Sequence, residues 1–82
     1  MFDLKDTIEL MTSEDFKDRF KAEYYQTKIR YEKLYKMVVK MEAGKLDFEP
    51  TCGIDLFKEQ LVHMDKYLYV LLVRAQIEGI EL

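Results

Sequence analysis

Residues 16–41 read FKDRFKAEYYQTKIRYEKLYKMVVKM, and one set of apolar side chains recurs through them at the spacing of an α-helix. Successive members are three or four residues apart, so all of them fall on one face of the helix. The members are Phe16, Phe20, Tyr24, Thr27, Tyr31, Leu34, Val38 and Met41. A long helix with one apolar face must bury that face, and the rest of the chain is therefore interpreted as its cover.

A second set with the same spacing follows the only proline, Pro50. It consists of Ile54, Phe57, Leu61, Met64, Leu68, Leu71 and Ala75, at alternating steps of three and four residues. This is the heptad pattern of paired helices. Because Pro50 disfavours helical backbone at the preceding Glu49, the two helices are separate. Two long helices joined by a short connection are expected to lie antiparallel.

These patterns predict an all-α protein. A short N-terminal helix at about residues 3–11 is followed by a long helical hairpin, with helices at about 14–43 and 54–78. The chain has 82 residues, which suits a single domain, residues 1–82, near the size at which one core becomes marginal. With three glycines and one proline, it has too few turn-forming residues for an all-β fold.

Capping residues predict where the helices begin. The Asp3 side chain can accept hydrogen bonds from the free backbone amides at the start of the short helix. Either Thr12 or Ser13 can cap the first long helix in the same way. The second long helix is expected to start at Thr51 or at Gly53, and the sequence leaves both open.

Glycines predict where the long helices end. Gly44 and Gly79 stand where a left-handed residue closes a helix. At the second of these ends, Ile80 is expected to contact Ala75, as a Schellman closure requires.

Apolar residues outside the two sets predict self-association. From Tyr67 to Val73 the second long helix is apolar all round, which indicates burial on more than one side. The short N-terminal helix can cover part of this surface, but a monomer this small would still expose an unusual apolar patch. We therefore expect a homo-oligomeric helical bundle.

Composition excludes several classes of partner. The net charge of −3 argues against binding to duplex nucleic acid. The longest apolar run has seven residues, whereas a membrane span needs roughly 20, so no membrane partner is expected. The single cysteine, Cys52, cannot form an internal disulfide, which favours a reducing compartment and a cytoplasmic location.

Tyrosines and basic residues alternate along the first long helix. Between Lys28 and Lys45 there are six basic side chains against two acidic ones. Tyrosine rings can stack on a nucleobase, while arginine and lysine neutralise phosphate. Each residue alone is also typical of a packed or solvated helix face, so it is the combination that suggests a nucleotide-type ligand. The candidate ligand-binding residues are Tyr24, Lys28, Arg30, Tyr31, Lys33 and Tyr35.

Catalytic and metal-binding patterns are not recognisable. A general base needs a nucleophile or an orienting carboxylate within reach, and Asp65 lies on a different side of the helix from His63, the only histidine. The run Gln60-Leu61-Val62-His63 departs at its first position from the Glu-x-x-His pattern of metal-binding bundles. We expect no catalytic residue, no metal and no cofactor, and therefore no enzyme.

Several stretches resemble a known family. They are Phe20–Tyr24 and Arg30–Leu34 in the first long helix, and Phe57–Leu68 and Leu72–Ala75 in the second. Together they resemble a family of small proteins of tailed bacteriophages and prophages, crAss-like phages among them. The fold of that family is similar to the helical-hairpin domain of the phage anti-CBASS and anti-Thoeris nucleotide sponges. The resemblance covers about residues 14–78.

This resemblance implies a phage anti-defence function. The protein would be a homo-oligomer that sequesters a nucleotide immune messenger, without cleaving it, in the cytoplasm of the host cell. Such sponges bind in pockets between protomers by tyrosine stacking and basic contacts. No binding residue is carried over from them, because their positions do not align with this sequence.

Two other functions remain open. A helical adaptor or inhibitor would act on a host or phage protein through helix-in-groove contacts. Binding of single-stranded nucleic acid through the tyrosines is a further possibility, which the negative net charge disfavours.

Overall fold

The computed structural model describes residues 2–82, which form helices joined by turns and no β-strand. A 3-10 turn at Leu4–Thr7 runs into a short helix, α1, at Ile8–Met11. The long helices follow, α2 at Phe16–Glu42 and α3 at Ile54–Glu78. The predicted all-α fold, with a short N-terminal helix before a long helical hairpin, is confirmed.

The two apolar sets predicted from the sequence pack against each other along the hairpin. The buried residues are Phe20, Tyr24 and Val38 on α2 and Leu68, Leu71 and Ala75 on α3. Most of these form one cluster, against which Tyr31 also packs. Val38 is buried outside this cluster. Phe16, the first member of the α2 set, is 46% exposed and meets Phe20 edge-on with ring centroids 6.3 Å apart.

The start of α2 differs from the prediction. Asp15 is the N-cap, since its side chain accepts from the Lys17 amide at 2.9 Å, and the helix begins at Phe16 rather than at residue 14. The predicted cap, Thr12 or Ser13, is therefore wrong. The Thr12 hydroxyl donates back to the Ile8 carbonyl oxygen at 2.9 Å, at the end of α1. The Ser13 hydroxyl accepts from the Asp15 amide at 3.1 Å and so holds the true cap in place.

Both long helices end in left-handed glycines, as predicted. Gly44 has φ 69° and Gly79 has φ 68°. After the second, the Ile80 amide donates to the Ala75 carbonyl oxygen at 2.9 Å, and both side chains belong to the buried cluster. This is the expected Schellman closure. At the other end of α3, the N-cap is Gly53 rather than Thr51.

The N-terminal segment packs on one flank of α2. Asp3 and Asp6 form a reciprocal capping box at its start. Gln26 Nε2 donates to Thr7 Oγ1 at 2.9 Å, and Thr7 is fully buried. The rings of Phe2 and Tyr25 lie 4.7 Å apart. This segment therefore covers the side of α2 that faces away from α3, and within residues 2–82 it makes no contact with α3 itself.

Bilayer spanning is not indicated for any helix within residues 2–82, since none combines the necessary length with a sufficiently apolar composition.

Candidate functional site

A groove runs between α2 and α3 beside the buried cluster. It encloses about 580 Å³, within the range of roughly 300–1,000 Å³ that is usual for small-molecule sites. We call it the tyrosine groove. Its lining is Tyr24, Lys28, Tyr31 and Glu32 from α2, with Asp65, Lys66, Leu68, Tyr69, Val70 and Leu72 from α3.

Helical spacing sets the α2 wall of the groove. Residues four apart lie side by side on a helix, and the Lys28 ammonium accordingly lies 6.0 Å from the centroid of the Tyr24 ring. One turn further on, the Tyr31 and Tyr35 ring centroids are also 6.0 Å apart. A smaller depression of about 300 Å³, which shares Tyr31 and Glu32 with the groove, extends it to Tyr35 and Lys36.

The tyrosines differ in how firmly they are held. Tyr24 is 8% exposed and belongs to the core, and Tyr31 is half-buried against it. Tyr69 on the opposite wall is 68% exposed. The groove thus has a buried aromatic floor and one exposed aromatic ring at its rim.

Charges of both signs surround the tyrosines. Lys28 and Lys66 carry positive charge, and Glu32 and Asp65 carry negative charge, so the lining is formally neutral. Burial raises the pKa of the Tyr31 phenol, and the nearby charge of Asp65 adds to this. Tyr31 therefore keeps its proton at neutral pH and can donate a hydrogen bond.

This lining can make three kinds of contact. Tyrosine rings offer flat faces for stacking on a nucleobase. Lysine ammonium groups attract phosphate oxygens. Ionised carboxylates only accept hydrogen bonds, so Glu32 and Asp65 suit the N–H groups of a base or the hydroxyls of a ribose.

The structure brings together only some of the predicted ligand-binding residues. Tyr24, Lys28 and Tyr31 line the tyrosine groove, and Tyr35 lines its extension. Lys33 lies on the flank covered by the N-terminal segment, where its ammonium is 3.7 Å from the Asp3 carboxylate.

Arg30 is exposed and lines neither the groove nor its extension. The spacing along α2 places it on the other side of the packed face from Lys28. Lys33 lines a separate depression that shares Lys36 with the extension of the groove.

Sequence reasoning missed the α3 wall of the site. The sequence pattern relates Asp65 only to His63 and places Tyr69 only in the apolar run from Tyr67 to Val73. Their spacing carries a usable signal, since Asp65, Tyr69 and Leu72 follow one another at i, i+4 and i+7 beside the packed residues of α3. Such a row on the edge of a packed face is expected to line any groove there.

Other reactive side chains lie away from the groove. His63 makes an exposed contact of 3.7 Å with Glu59 on its own helix, and Cys52 is exposed in the loop before α3. Within residues 2–82, no group of three or more histidine, cysteine, aspartate or glutamate side chains is placed to hold a metal ion.

An antiparallel helical hairpin with an aromatic groove of balanced charge makes this chain a small all-α protein with a candidate ligand site. More particularly, the chain belongs to the Sequestin family, whose model matches residues 14–77. The match covers the hairpin almost to the end of α3 and leaves out the N-terminal segment. The family name denotes sequestration of a molecule, that is, binding rather than catalysis. No curated protein and no solved structure matches the chain.

Proposed function

We propose that this protein is a phage or prophage anti-defence protein that binds a nucleotide immune signal in the tyrosine groove and sequesters it without cleaving it. Membership of the Sequestin family supports the sequestering role. The observation that carries the nucleotide assignment is the convergence of Tyr24, Tyr31 and Tyr69 with two lysines in one groove between two helices. The resemblance to phage sponges supports the anti-defence setting.

The groove suggests how such a ligand would lie. The exposed Tyr69 ring and the half-buried Tyr31 ring lie on opposite walls, so a base can stack against one or both. Lys28 and Lys66 would then contact phosphate. The proposed binding residues are thus Tyr24, Lys28, Tyr31 and Tyr35 of the predicted set, with Lys66 and Tyr69 added from α3.

The two carboxylates restrict the class of ligand. Glu32 and Asp65 offset the positive charge of Lys28 and Lys66, so the groove has no net attraction for a ligand that offers only phosphate groups. They favour a molecule that also presents hydrogen-bond donors, such as a base amino group or a ribose hydroxyl. Cyclic dinucleotides, cyclic trinucleotides and ADP-ribose derivatives meet this requirement, whereas inorganic polyphosphate does not.

Self-association is part of the proposal. Sixteen large apolar side chains are exposed in the described chain, whereas eight hydrophobic residues are buried. A protein that exposes more large apolar residues than it buries is expected to cover some of them with another chain. We propose that the covering chain is a further copy of the same protein.

Thermal unfolding in the presence of a nucleotide panel tests the proposal. A ligand at 100 times its Kd stabilises the folded state by ~2.7 kcal/mol, which is readily seen as a higher midpoint. We expect the unfolding midpoint to rise with at least one cyclic nucleotide or ADP-ribose derivative and to stay unchanged with inorganic polyphosphate. If no nucleotide shifts the midpoint, the alternative gains support: a helical adaptor or inhibitor that uses the exposed apolar surface of α3 to bind another protein.

A further inference from the structure

Most of the basic side chains of α2 beyond Lys28 lie outside the tyrosine groove. Three of them, Lys33, Lys36 and Lys40, line a separate depression of about 280 Å³ between α2 and the loop that follows it. They stand at i, i+3 and i+7, so one face of α2 carries all three. We call this site the lysine depression. The proposed function of the tyrosine groove uses none of these three lysines.

The loop after α2 forms the other wall of the lysine depression. Gly44 has φ 69°, and the Lys45 amide donates to the Lys40 carbonyl oxygen at 2.8 Å. This closure of the helix turns the chain back beside α2, where residues 46–48 line the depression. The site is therefore built by the same left-handed glycine that ends the helix.

An aromatic ring lies exposed in this wall. Phe48 is 55% exposed, whereas Met37 and Leu46, which line the same depression, are half-buried. None of the aromatic ring pairs within residues 2–82 includes Phe48. Its ring thus offers a free face, beside apolar side chains, on which a planar group can pack.

The lysine depression is positively charged, although the whole chain has a net charge of −3. Among its lining residues, three lysines face one carboxylate, Asp47. Lys33 also lies 3.7 Å from the Asp3 carboxylate, whereas Lys36 and Lys40 form no ion pair with any carboxylate of residues 2–82. Like charges four residues apart on a helix repel each other, and an anion held between Lys36 and Lys40 would relieve that repulsion.

We propose that the lysine depression is a second binding site, for a small aromatic monophosphate whose phosphate contacts Lys36 and Lys40 and whose ring packs on Phe48. Its volume lies just below the range of roughly 300–1,000 Å³ that is usual for small-molecule sites, which suits one ring and one phosphate rather than a dinucleotide. Asp47 in the lining and Glu49 directly after Phe48 disfavour a ligand with a long run of phosphates. The site does not depend on the tyrosine groove or on the ligand proposed for it.

Amide NMR of the full chain, titrated with phenyl phosphate, tests the site. We expect saturable shifts at Lys36, Lys40 and Phe48, with a Kd on the order of 1 mM, and none at Tyr69 in the tyrosine groove. Inorganic phosphate and benzyl alcohol each carry only one part of the proposed ligand, and they should bind at least about tenfold more weakly. Saturable shifts at Tyr69 in place of Lys40, equal affinity for inorganic phosphate, or no saturable shift would each overturn the proposal.

Charge variants separate a direct contact from the general charge of the surface. Lys40→Gln should raise the Kd for phenyl phosphate about fivefold, whereas Lys45→Gln, outside the depression, should change it less than about twofold. Asp47→Asn removes the carboxylate from the lining and should lower the Kd by about twofold. All three side chains are exposed, so circular dichroism should stay unchanged. Equal losses for Lys40→Gln and Lys45→Gln, or no tighter binding by Asp47→Asn, would contradict the proposed contacts.

Discussion

The Lys28 ammonium lies 6.0 Å from the centroid of the Tyr24 ring, which puts a positive charge at the edge of the aromatic floor of the tyrosine groove. Tyr24 is held by the core, whereas Lys28 is exposed. A phosphate that binds at Lys28 would therefore place the rest of a nucleotide over fixed rings rather than over mobile side chains. Most of the binding surface would already be ordered before the ligand binds, which lowers the entropic cost of binding.

Replacement of Lys28 by glutamine is expected to weaken nucleotide binding. Loss of a hydrogen bond to a charged group costs ~1.5–3 kcal/mol, about ten- to a hundredfold in Kd. The matched control is Arg30→Gln, two residues along α2 and outside the groove. Calorimetric titration of both variants with the nucleotide that stabilises the wild type measures the difference. A larger loss for Arg30→Gln than for Lys28→Gln would place the phosphate on the other flank of α2.

Removal of the Tyr69 ring is expected to weaken binding through lost stacking. Base–aromatic stacking contributes ~1–3 kcal/mol per base, so Tyr69→Ala should raise Kd several-fold to a hundredfold. Tyr69→Phe keeps the ring and should bind within about threefold of wild type, a difference of less than ~1 kcal/mol. Because Tyr69 is exposed and self-association is part of the proposal, both variants are to be compared at the same measured mass. Equal loss in both would show that the hydroxyl matters rather than the ring.

The sequence was sufficient to predict the faces of the helices but not the flanks of the packed hairpin. Periodicity identifies the residues that α2 buries, because every turn repeats the same face. It does not say which side of that face is left open. Lys28 and Arg30 flank the same apolar set and look equivalent in the sequence. In the structure the N-terminal segment packs on the side of α2 away from α3, where Lys33 meets Asp3. Arg30 stays exposed, and the tyrosine groove lies on the Lys28 side.

The cap of α2 could not be predicted for a related reason. Thr12, Ser13 and Asp15 all favour the N-cap position, and they lie within four residues of one another. The choice among them depends on where α1 ends. The Thr12 hydroxyl donates to the Ile8 carbonyl oxygen of α1, and Asp15 caps α2 instead.

Replacement of Gly79 by alanine is expected to destabilise the hairpin. Gly79 has φ 68°, and a Cβ added there would meet no atom within 4 Å, so the cost is that of left-handed backbone alone, ~1–2 kcal/mol. Gly53 is a matched control, since its φ is −72° and its Cβ would also meet open space. Urea unfolding should show a clearly lower midpoint for Gly79→Ala and a smaller decrease for Gly53→Ala. Equal midpoints would mean that the end of α3 does not contribute to the folding equilibrium.

The N-terminal segment is expected to loosen in acid. The hydrogen bond from the Leu4 amide, and secondarily the charge of Lys33, lower the pKa of Asp3 below its ordinary value of 3.8. A lowered pKa means that ionised Asp3 stabilises the folded state above pH 3.8 and that this contribution is lost as pH falls through the folded-state value.

The test of this pH dependence is Asp3→Asn, which can still cap the 3-10 turn but carries no charge. Its thermal midpoint should lie slightly below that of wild type at pH 7, and the gap between the two midpoints should narrow as the pH falls below 3.8. A gap that persists unchanged in acid would show that the charge of Asp3 contributes nothing.

Sequestration itself is tested most directly by mixing the full chain with the nucleotide that stabilises it, measuring the free nucleotide by equilibrium dialysis, and then recovering the bound fraction by heat denaturation. The account predicts that free nucleotide falls in proportion to added protein and that chromatography of the released fraction returns the same molecule, intact and in full. No fall in free nucleotide for any member of the panel, or release of a cleaved product in place of the original, would contradict it.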